Sequence, residues 1–358
     1  MTEMSDHLFE DNQELRRTEP IIYRRKRYVE RTLERFVRDQ SSLIWLQRKL
    51  GLNRDFDLAS MILQMELDGT AMFYHRPRVI KKTAGGTRTI ISPGLELMFI
   101  QKRINCLLQR TFPPPENVFG YRGGSCLEVA ERHAKWPSTL KFDIKDAFFR
   151  VGWGRVRNAI RGSSISINQP GFSSSVARWI ARLCTYSPPP EVVLERLRIH
   201  SFLPQGSPTS PVCFDLACKR LDVKLTKMAH RIGGIVSRYA DNYYFSMPTS
   251  RFPPKLERMI MCDVCRHGRF PVHKVRRVGQ GELCKILGYN CSGGEISNNR
   301  DFRRNLRGVL YVLRTKLDRG LPSMEAYARV KGYMGLTINL PDDLLQTYHY
   351  CEGKIKES

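Results

Sequence analysis

The chain has 358 residues, of which 41% are hydrophobic, so it is long enough to bury a sizeable core and to form two or three packed subdomains. Its 59 lysines and arginines outnumber 35 acids, which leaves a formal charge of +24 spread along the whole sequence. Such a charge favours a polyanion as partner, because each neutralised phosphate releases counterions. A basic surface that only keeps the protein soluble is the alternative explanation.

The N-terminal segment MTEMSDHLFEDNQELRR is polar, and no apolar run approaches the roughly 20 residues of a membrane-spanning helix. Ten cysteines occur without a regular disulfide framework. These features predict reduced thiols, a cytoplasmic location and no membrane partner. Cys262 and Cys265 form one CxxC pair, with Cys284 and Cys291 downstream. A zinc site is left open, although the second pair is more widely spaced than zinc ligands usually are.

The first predicted element is a basic amphipathic helix over residues 19–50. Its apolar residues recur at helical spacing and are Ile22, Val29, Leu33, Phe36, Leu43 and Leu46. A solvated charged face explains most of its arginines, and the surplus fits a nucleic-acid binder.

Residues 73–93 predict a β-hairpin, because two strand-like runs flank the turn at Gly85 and the following glycine. Alternation places Arg78, Lys82 and Arg88 on one face if the turn preserves the register. Such a face could bind a triphosphate or a nucleic-acid strand, and an ordinary exposed hairpin is equally compatible. A helix is then predicted for LELMFIQKRINCLLQRTF, and Ser125 is the expected N-cap of the next one.

The segment TLKFDIKDAFFRV, residues 139–151, predicts a strand that ends in a turn. Asp143 lies in its apolar part between Phe142 and Ile144, where a carboxylate is costly unless it is paired or binds a cation. Asp146 would face the opposite side of a continuous strand, so the two acids are not expected to share one ligand set. A structural hydrogen bond is the alternative role for Asp143.

The helix-forming segment LPQGSPTSPVCFDLACKRLD covers residues 203–222. Ser210 followed by proline predicts the helix start, with Leu216 and Leu221 on the apolar side. Gly206 has no side chain, which indicates that another group approaches its backbone closely.

A second strand-associated acid occurs in SRYADNYYFS, residues 237–246. Strand-like runs on both sides predict a tight hairpin whose turn is Asp241-Asn242, since Asn tolerates the left-handed conformation. Asp241 would then project from the hairpin tip. Favourable turn chemistry alone is the alternative explanation.

These three segments, in chain order, resemble motifs A, B and C of reverse transcriptases. GGTRTIISPGLELMFIQKRI resembles the fingers motifs of bacterial members, and VFGYRGGSCLEVAERHA the block that follows them. HGRFPVHKVRRV and KILGYN are similar to motif D and the start of the thumb. The resemblance covers residues 70–295, and LPQGSPTSP is similar in particular to bacterial retron and defence-associated (abortive-infection, unknown-group) enzymes.

The resemblance implies an α+β fold of the right-hand polymerase type, with fingers and palm of antiparallel sheet plus helices and a helical thumb. The expected division is a basic helical N-terminal region at 1–70, fingers at 71–135, a palm with motifs A to D at 136–295, and a thumb at 296–358.

The resemblance further implies two Mg²⁺ ions, with Mn²⁺ as an alternative, that activate the primer 3′-hydroxyl and stabilise the leaving pyrophosphate. Asp143 and Asp241 match the acidic metal ligands, and the backbone carbonyl of Ile144 matches a further ligand. Lys274 falls near the motif D lysine, a proton donor to pyrophosphate.

The same resemblance assigns five residues to the incoming nucleotide. Phe148 matches the aromatic steric gate that excludes a ribose 2′-hydroxyl. Gln205 and Gly206 match residues beside the nucleotide and template. Arg88 and Lys82 match the fingers cations that bind the triphosphate.

Asn242 departs from the family pattern, because the second acid of the YxDD box is expected at this position. Asn offers a neutral oxygen but no charge to balance the cations. Lower metal affinity, a preference for Mn²⁺ and lost activity are all open. Because Asp143, Phe148 and the loop at Gln205 and Gly206 are intact, an active enzyme is expected.

The implied function is an RNA-directed DNA polymerase that copies a dedicated structured noncoding RNA in bacterial antiphage defence. Its expected partners are that RNA, the RNA–DNA duplex, dNTPs, and an effector protein or a second copy of the chain. The segment between motifs A and B lacks the asparagine–alanine…histidine signature of retron enzymes, which weakens a strict retron assignment.

Two alternatives are left open. One is a template-independent or protein-primed polymerase, for which Tyr243, Tyr244, Tyr348 and Tyr350 are the available hydroxyls. The other is an RNA-binding scaffold with a decayed site, motivated by Asn242.

Overall fold

The computed structural model describes residues 21–53, 55–81, 85–121, 123–163, 172–187 and 201–357. The chain divides into two compact units. The first unit comprises Met1–Pro113 and Phe148–Ala217, and the second comprises Pro114–Ala147 and Cys218–Ser358. The predicted division into N-terminal region, fingers, palm and thumb stays a prediction.

The described residues form helices and strands in the following chain order. Up to residue 184 these are α1 (Ile21–Arg38), α2 (Gln40–Lys49), α3 (Leu58–Asp68), β1 (Arg78–Lys81), β2 (Thr87–Ile90), α4 (Leu95–Thr111), β3 (Val118–Phe119), α5 (Cys126–Ala134), β4 (Ser138–Ile144), α6 (Trp153–Ser163) and α7 (Ser174–Cys184). Beyond it are α8 (Ser210–Arg231), β5 (Ile235–Tyr239), β6 (Asn242–Met247), α9 (Pro254–Cys262), β7 (Val272–Val278), β8 (Cys284–Ile286), β9 (Tyr289–Ser292), β10 (Glu295–Asn298), α10 (Arg300–Asp318), α11 (Met324–Met334) and α12 (Asp342–Glu357).

The predicted helix over residues 19–50 is two helices in the structure, because α1 ends at Arg38 and α2 begins at Gln40. Leu43 is buried as predicted, whereas Leu33 is 42% exposed. The orientation of α1 depends on contacts distant in sequence, such as the Phe36 ring 6.0 Å from the Trp179 ring of α7. Periodicity alone does not show such contacts.

The predicted hairpin is present in the first unit as antiparallel strands β1 and β2. Arg88 pairs with Ile80, so Arg78 and Arg88 lie on one face, as alternation predicted. Lys82 lies outside the described residues. The helix predicted after the hairpin is α4, and its buried face includes Leu97 and Ile104.

The second unit contains a five-stranded sheet in the order β3-β5-β6-β4-β7. All its pairings are antiparallel except that of β3 with β5. Alternation along β4 puts Leu140, Phe142 and Ile144 in the core, and it puts Lys141 and Asp143 on the opposite face. Helix α5 precedes β4, and the Ser125 hydroxyl accepts a hydrogen bond from the Glu128 amide, as predicted for its N-cap.

The C-terminal part of the second unit consists of β8, β9 and β10, which form a separate sheet, and three helices. Leu306, Leu310 and Leu313 of α10 are fully or nearly fully buried at helical spacing, and they pack with Val330 and Leu344. The described part of the chain thus has the mixed α+β class that was predicted, with a helical C-terminal region. None of the helices within the described ranges combines the length and apolarity needed to cross a membrane.

Candidate active site

Two acids that are distant in sequence lie together at one end of the sheet in the second unit. Asp143 is the penultimate residue of β4, and Asp241 follows β5. Strand pairing places Asp143 opposite Asn242. The Ile144 amide donates a hydrogen bond of 3.0 Å to the Asp241 carbonyl oxygen. The structure therefore brings together the backbones that carry both predicted metal ligands. Asp146 lies beyond the end of β4 and is exposed.

The predicted turn at Asp241-Asn242 is wrong by one residue. Tyr239 pairs with Asn242, so the two turn residues are Ala240 and Asp241, and Asn242 begins β6. Ala240 adopts the left-handed conformation, with φ +54°, which is uncommon for a residue with a Cβ atom. Asp241 is half-buried and does not project freely. The register depends on pairing across the whole sheet, which the turn preference of Asn does not reveal.

The Asp143 carboxylate is only partly satisfied by the protein. Its side chain is 21% exposed, and Oδ2 lies 3.5 Å from Lys274 Nζ and 3.9 Å from His273 Nδ1. Its other oxygen, Oδ1, is buried, and no hydrogen-bond partner for it occurs within the part of the chain that the structure describes. A buried acceptor without a partner is unfavourable and indicates a place for a further ligand.

A β-bulge brings Lys274 to this carboxylate. Lys141 pairs with Arg276, but Asp143 pairs with His273, so β7 has one more residue than β4 across this step. Lys274 lies within the bulge and has φ +53°. Bulges re-aim side chains and often occur beside active sites. The alternation of residues along β7 would not place this lysine correctly.

Asn242 contacts the neighbouring acid directly. Its side-chain amide nitrogen donates a hydrogen bond of 3.1 Å to Asp241 Oδ1. An ionised carboxylate can only accept, so the orientation of the amide follows from its partner. An aspartate at this position would have no proton to donate and would add a second negative charge beside Asp241.

The donor set at this end of the sheet fits a hard divalent cation. Carboxylate oxygens are the ligands that Mg²⁺ prefers, and Mg²⁺ usually takes one or two of them and completes its shell with waters and substrate phosphates. Asp143 and Asp241 match that number. Among the described residues there is no group of three or more His, Cys, Asp or Glu side chains placed to hold a metal.

The four cysteines for which a zinc site was left open lie in two separate parts of the second unit. Cys262 ends α9, and Cys265 lies in the π-helical turn that follows. Cys284 of β8 and Cys291 of β9 lie opposite each other in neighbouring strands, and both are buried free thiols. Burial raises the pKa of the Cys291 thiol to about 12, which disfavours the thiolate that binds zinc.

The predicted nucleotide-binding residues that the structure describes belong to the first unit. Phe148 precedes α6, and its ring lies 5.3 Å from the Phe214 ring. Gln205 Oε1 is buried, and no hydrogen-bond partner is found for it in the described ranges. Arg88 is on the exposed hairpin. Their roles toward a nucleotide stay predictions.

Gly206 is needed by the fold of the first unit, as its lack of a side chain indicated. Its φ is +120°, and a Cβ atom there would lie 3.0 Å from Ser92 Oγ and 3.1 Å from the Ile91 carbonyl oxygen. The close approach comes from the chain just after β2. The helix that follows begins at Ser210, as predicted, and the Ser210 hydroxyl donates a hydrogen bond to the Pro204 carbonyl oxygen. The predicted apolar residues of this helix, Leu216 and Leu221, are buried.

Two of the four hydroxyls considered for protein priming are buried. Tyr243 is 1% exposed and Tyr244 is 5% exposed, so neither can present its hydroxyl to a nucleotide in this structure. Burial also raises the pKa of both hydroxyls. Tyr350 is more exposed, and its hydroxyl donates to Asp318.

Sequence reasoning missed two features of the site. One is His273 beside Asp143, and the bulge explains why spacing did not reveal it. The other is a buried ion pair between Asp222 and Arg238 beneath the hairpin. The available signal was an arginine in the strand before Asp241, between Val236 and the aromatic residues Tyr239 and Tyr243.

Comparison with known proteins identifies the family. The sequence profile described as "Reverse transcriptase (RNA-dependent DNA polymerase)" matches residues 80–260, about half of the chain, and the two acids described above lie within that range. The chain therefore belongs to the reverse transcriptase family.

Similar proteins include two retron enzymes of Myxococcus xanthus. The retron Mx162 reverse transcriptase is 31% identical over 254 residues, which cover 65% of this chain and 51% of that protein. The retron Mx65 reverse transcriptase is 33% identical over 187 residues, which cover 48% of this chain and 42% of that protein. The chain thus spans about half the length of these two relatives. Among solved structures, telomerase from Candida albicans in complex with a fragment of telomeric RNA is 14% identical, with a TM-score of 0.46 and coverage of 79% of this chain and 56% of that one.

Proposed function

We propose that this protein is an RNA-directed DNA polymerase of the bacterial retron type, which adds dNTPs to a primer 3′ end. The observation that carries the proposal is the pairing of Asp143 with the strand that follows Asp241, together with the buried, unsatisfied Oδ1 of Asp143. The family membership of the chain and its likeness to two retron enzymes support the same assignment.

Each polar group at the site has a proposed part in nucleotide addition. Asp143, Asp241 and the Ile144 carbonyl hold two Mg²⁺ ions. When bound, these ions supply Lewis-acid activation of the primer hydroxyl and charge stabilisation at the pyrophosphate. Lys274 holds a proton near the Asp143 carboxylate and is the proposed acid toward pyrophosphate. Asn242 keeps the Asp241 carboxylate in place through its amide.

The nucleotide contacts of the first unit are a separate part of the proposal. Arg88 and Lys82 are assigned to the triphosphate, Gln205 and Gly206 to the nucleotide and template, and Phe148 to the sugar. We expect Phe148→Ala to incorporate rNTPs about tenfold better relative to dNTPs, because the smaller side chain no longer clashes with the ribose 2′-hydroxyl. Accepting or rejecting one small group in a pocket is worth about 1–3 kcal/mol. Steady-state incorporation of matched dNTP and rNTP pairs measures this ratio. Unchanged discrimination would remove Phe148 from the role of sugar gate.

The proposed template is a dedicated structured noncoding RNA, and the proposed setting is antiphage defence in the bacterial cytoplasm. The net charge of +24 supports a nucleic-acid partner, because Lys and Arg neutralise phosphates. An effector protein or a second copy of the chain is a further proposed partner.

Sequencing of copurified nucleic acid tests the proposal most broadly. The protein is purified with its bound nucleic acid, supplied with dNTPs, and compared with an Asp143→Ala variant purified in the same way. We expect one dominant RNA species and a complementary DNA that appears only with the wild-type protein. DNA synthesis that survives RNase treatment of the template would instead favour a template-independent enzyme. Absence of Asp143-dependent DNA would refute polymerase function.

A further inference from the structure

A buried ion pair lies on the core side of the five-stranded sheet, beneath the hairpin that carries Asp241. The side chains of Asp222, from α8, and Arg238, from β5, are each 1% exposed. Arg238 Nε donates to Asp222 Oδ1 at 3.0 Å, and Nη2 donates to Oδ2 at 2.9 Å. The Tyr243 hydroxyl donates to Asp222 Oδ1 at 2.7 Å. The Asp222 carboxylate is therefore bound through both oxygens.

Stability alone does not explain this pair. Removing two charges from water is expensive, and a well-packed apolar replacement of a buried ion pair is often neutral or stabilising. A buried pair is therefore informative when one partner has an additional contact that no apolar residue could make.

Arg238 makes such a contact to the backbone of the turn. Its Nη1 donates a hydrogen bond of 3.0 Å to the Ala240 carbonyl oxygen, while the other edge of the guanidinium binds Asp222. The Ala240 amide donates to the Phe119 carbonyl oxygen of β3 at 3.4 Å, so the peptide groups on both sides of Ala240 are held. Ala240 has φ +54°, which an alanine adopts only when its surroundings enforce it. Asp241 is the next residue.

The same network reaches the strand of the other acid. The Tyr243 ring stacks on the Phe142 ring with centroids 5.0 Å apart and planes 5° from parallel. Phe142 immediately precedes Asp143. Alternation puts Phe142 and Tyr243 on the core face, opposite Asp143 and Asn242.

We propose that Arg238 is a positioning residue for the metal site: anchored by Asp222, it holds the Ala240 turn so that the Asp241 carboxylate is presented beside Asp143. This proposal rests on the proposed function of the two acids as cation ligands. Arg238 itself touches neither substrate nor metal in this account. A lysine could not replace it, because only the planar guanidinium offers two separate donor edges.

Titration of Mn²⁺ into the purified protein, without nucleotide or added nucleic acid, tests the proposal. Free Mn²⁺ is followed by electron paramagnetic resonance, and thermal unfolding of the same samples is recorded. The decisive variant replaces Asp222 by Leu and Arg238 by Met together, which removes both buried charges. We expect it to fold with a thermal midpoint below that of the wild type, because the Tyr243 hydroxyl and the Ala240 carbonyl oxygen each lose a buried partner. We also expect it to bind Mn²⁺ about 10- to 100-fold more weakly, as when other residues that orient metal ligands are lost.

A matched control comes from β4 and β6, at the end of these strands that is far from Asp143 and Asn242. Thr139 of β4 and Ser246 of β6 share a buried hydrogen bond of 2.7 Å, and Thr139→Val removes it. We expect this variant to unfold at lower temperature and to keep wild-type Mn²⁺ affinity. Both variants should therefore lose stability, but only the double variant should lose metal affinity, which general loosening of the sheet would not produce.

The outcomes separate this proposal from the proposed function. If Asp143→Ala and Asp241→Ala bind Mn²⁺ as the wild type does, the acids are not the metal site and the proposed function fails. If those variants lose binding but the folded double variant keeps wild-type affinity, the positioning role of Arg238 is overturned. Should the double variant not fold, Arg238→Lys serves instead, because it keeps a charge opposite Asp222 and lacks the second donor edge. Wild-type affinity in Arg238→Lys would equally overturn the proposal.

Discussion

At the end of the five-stranded sheet that carries the two acids, the charged side chains are fully paired on one face and incompletely paired on the other. On the core face, Asp222 is bound by Arg238 and Tyr243, and the network has essentially no exposure. On the other face, Asp143 is partly exposed, and one of its oxygens has no partner among the described residues. A satisfied network specifies a geometry, whereas an unsatisfied acid retains capacity for a ligand. The core face therefore fixes the turn before Asp241, and the other face leaves a carboxylate oxygen of Asp143 available to a ligand.

Replacing either Asp143 or Asp241 should have the largest effect on function. We expect Asp143→Ala and Asp241→Ala to lower RNA-templated dNTP incorporation by about 10³-fold or more, because each removes charge stabilisation that acts in the transition state. In Asp143→Ala the free energy of unfolding should fall by no more than about 1 kcal/mol, since the ion pair of this carboxylate with Lys274 is partly exposed. Radiolabelled primer extension and urea denaturation measure the two quantities. A variant that unfolds easily but still extends primers would reverse the comparison.

Breaking the network on the core face should have the largest effect on stability. We expect Asp222→Ala to lower the free energy of unfolding by about 3–5 kcal/mol, because it leaves the Arg238 charge buried without its partner. Urea denaturation followed by circular dichroism provides the value. A loss below about 1 kcal/mol would show that water or another acid replaces Asp222, and that the core face is less closed than the structure indicates.

The pH dependence of the free energy of unfolding tests the buried end of the sheet face that carries Asp143, far along the strands from the two acids. His133 binds the Ser246 hydroxyl, and burial, followed by the charge of Arg132, lowers its pKa to about 3 from an ordinary 6.5. Because the unfolded chain binds this proton more tightly, the stabilising effect is present above pH 6.5 and is lost as the pH falls toward 3. In His133→Gln the slope of unfolding free energy against pH should be shallower by up to about 1.4 kcal/mol per pH unit in that interval. Equal slopes for both proteins would contradict the assignment of a buried neutral imidazole.

Changing Asn242 should have the smallest effect. Asn242→Asp adds a charge near the proposed cations but removes the amide that binds Asp241, so we expect the same or higher activity at saturating Mg²⁺ and a half-saturating Mg²⁺ concentration about threefold to tenfold lower. Primer extension across a Mg²⁺ series measures both. Asn242→Ala removes the amide without adding charge and is the control. A collapse of activity in Asn242→Asp would show that the hydrogen bond to Asp241 matters more than the added charge.

Local patterns predicted the strand of Asp143, the N-cap at Ser125 and the hairpin face shared by Arg78 and Arg88, because each depends on residues close in sequence. The mixed fold and the family followed from motif spelling, and both are confirmed. That the two acids meet was implied by the resemblance rather than by periodicity.

The remaining features depend on pairing between distant segments. The turn at Ala240 was displaced by one residue because strand register is decided across the sheet. The bulge that turns Lys274 toward Asp143 needs an extra residue on β7, which no periodicity reveals. The partner of Arg238 lies in a helix that no local rule connects to its strand.

Diffraction from crystals grown with Mn²⁺, a primer–template and a dNTP would show whether the two acids bind a metal, because anomalous scattering locates the metal independently of the protein. We predict a peak shared by the carboxylates of Asp143 and Asp241, at the ligand distance of about 2.0–2.2 Å expected for such a hard divalent cation. A well-ordered complex with the metal elsewhere, or with the two carboxylates turned apart, would show that Asp143 and Asp241 are not the metal site.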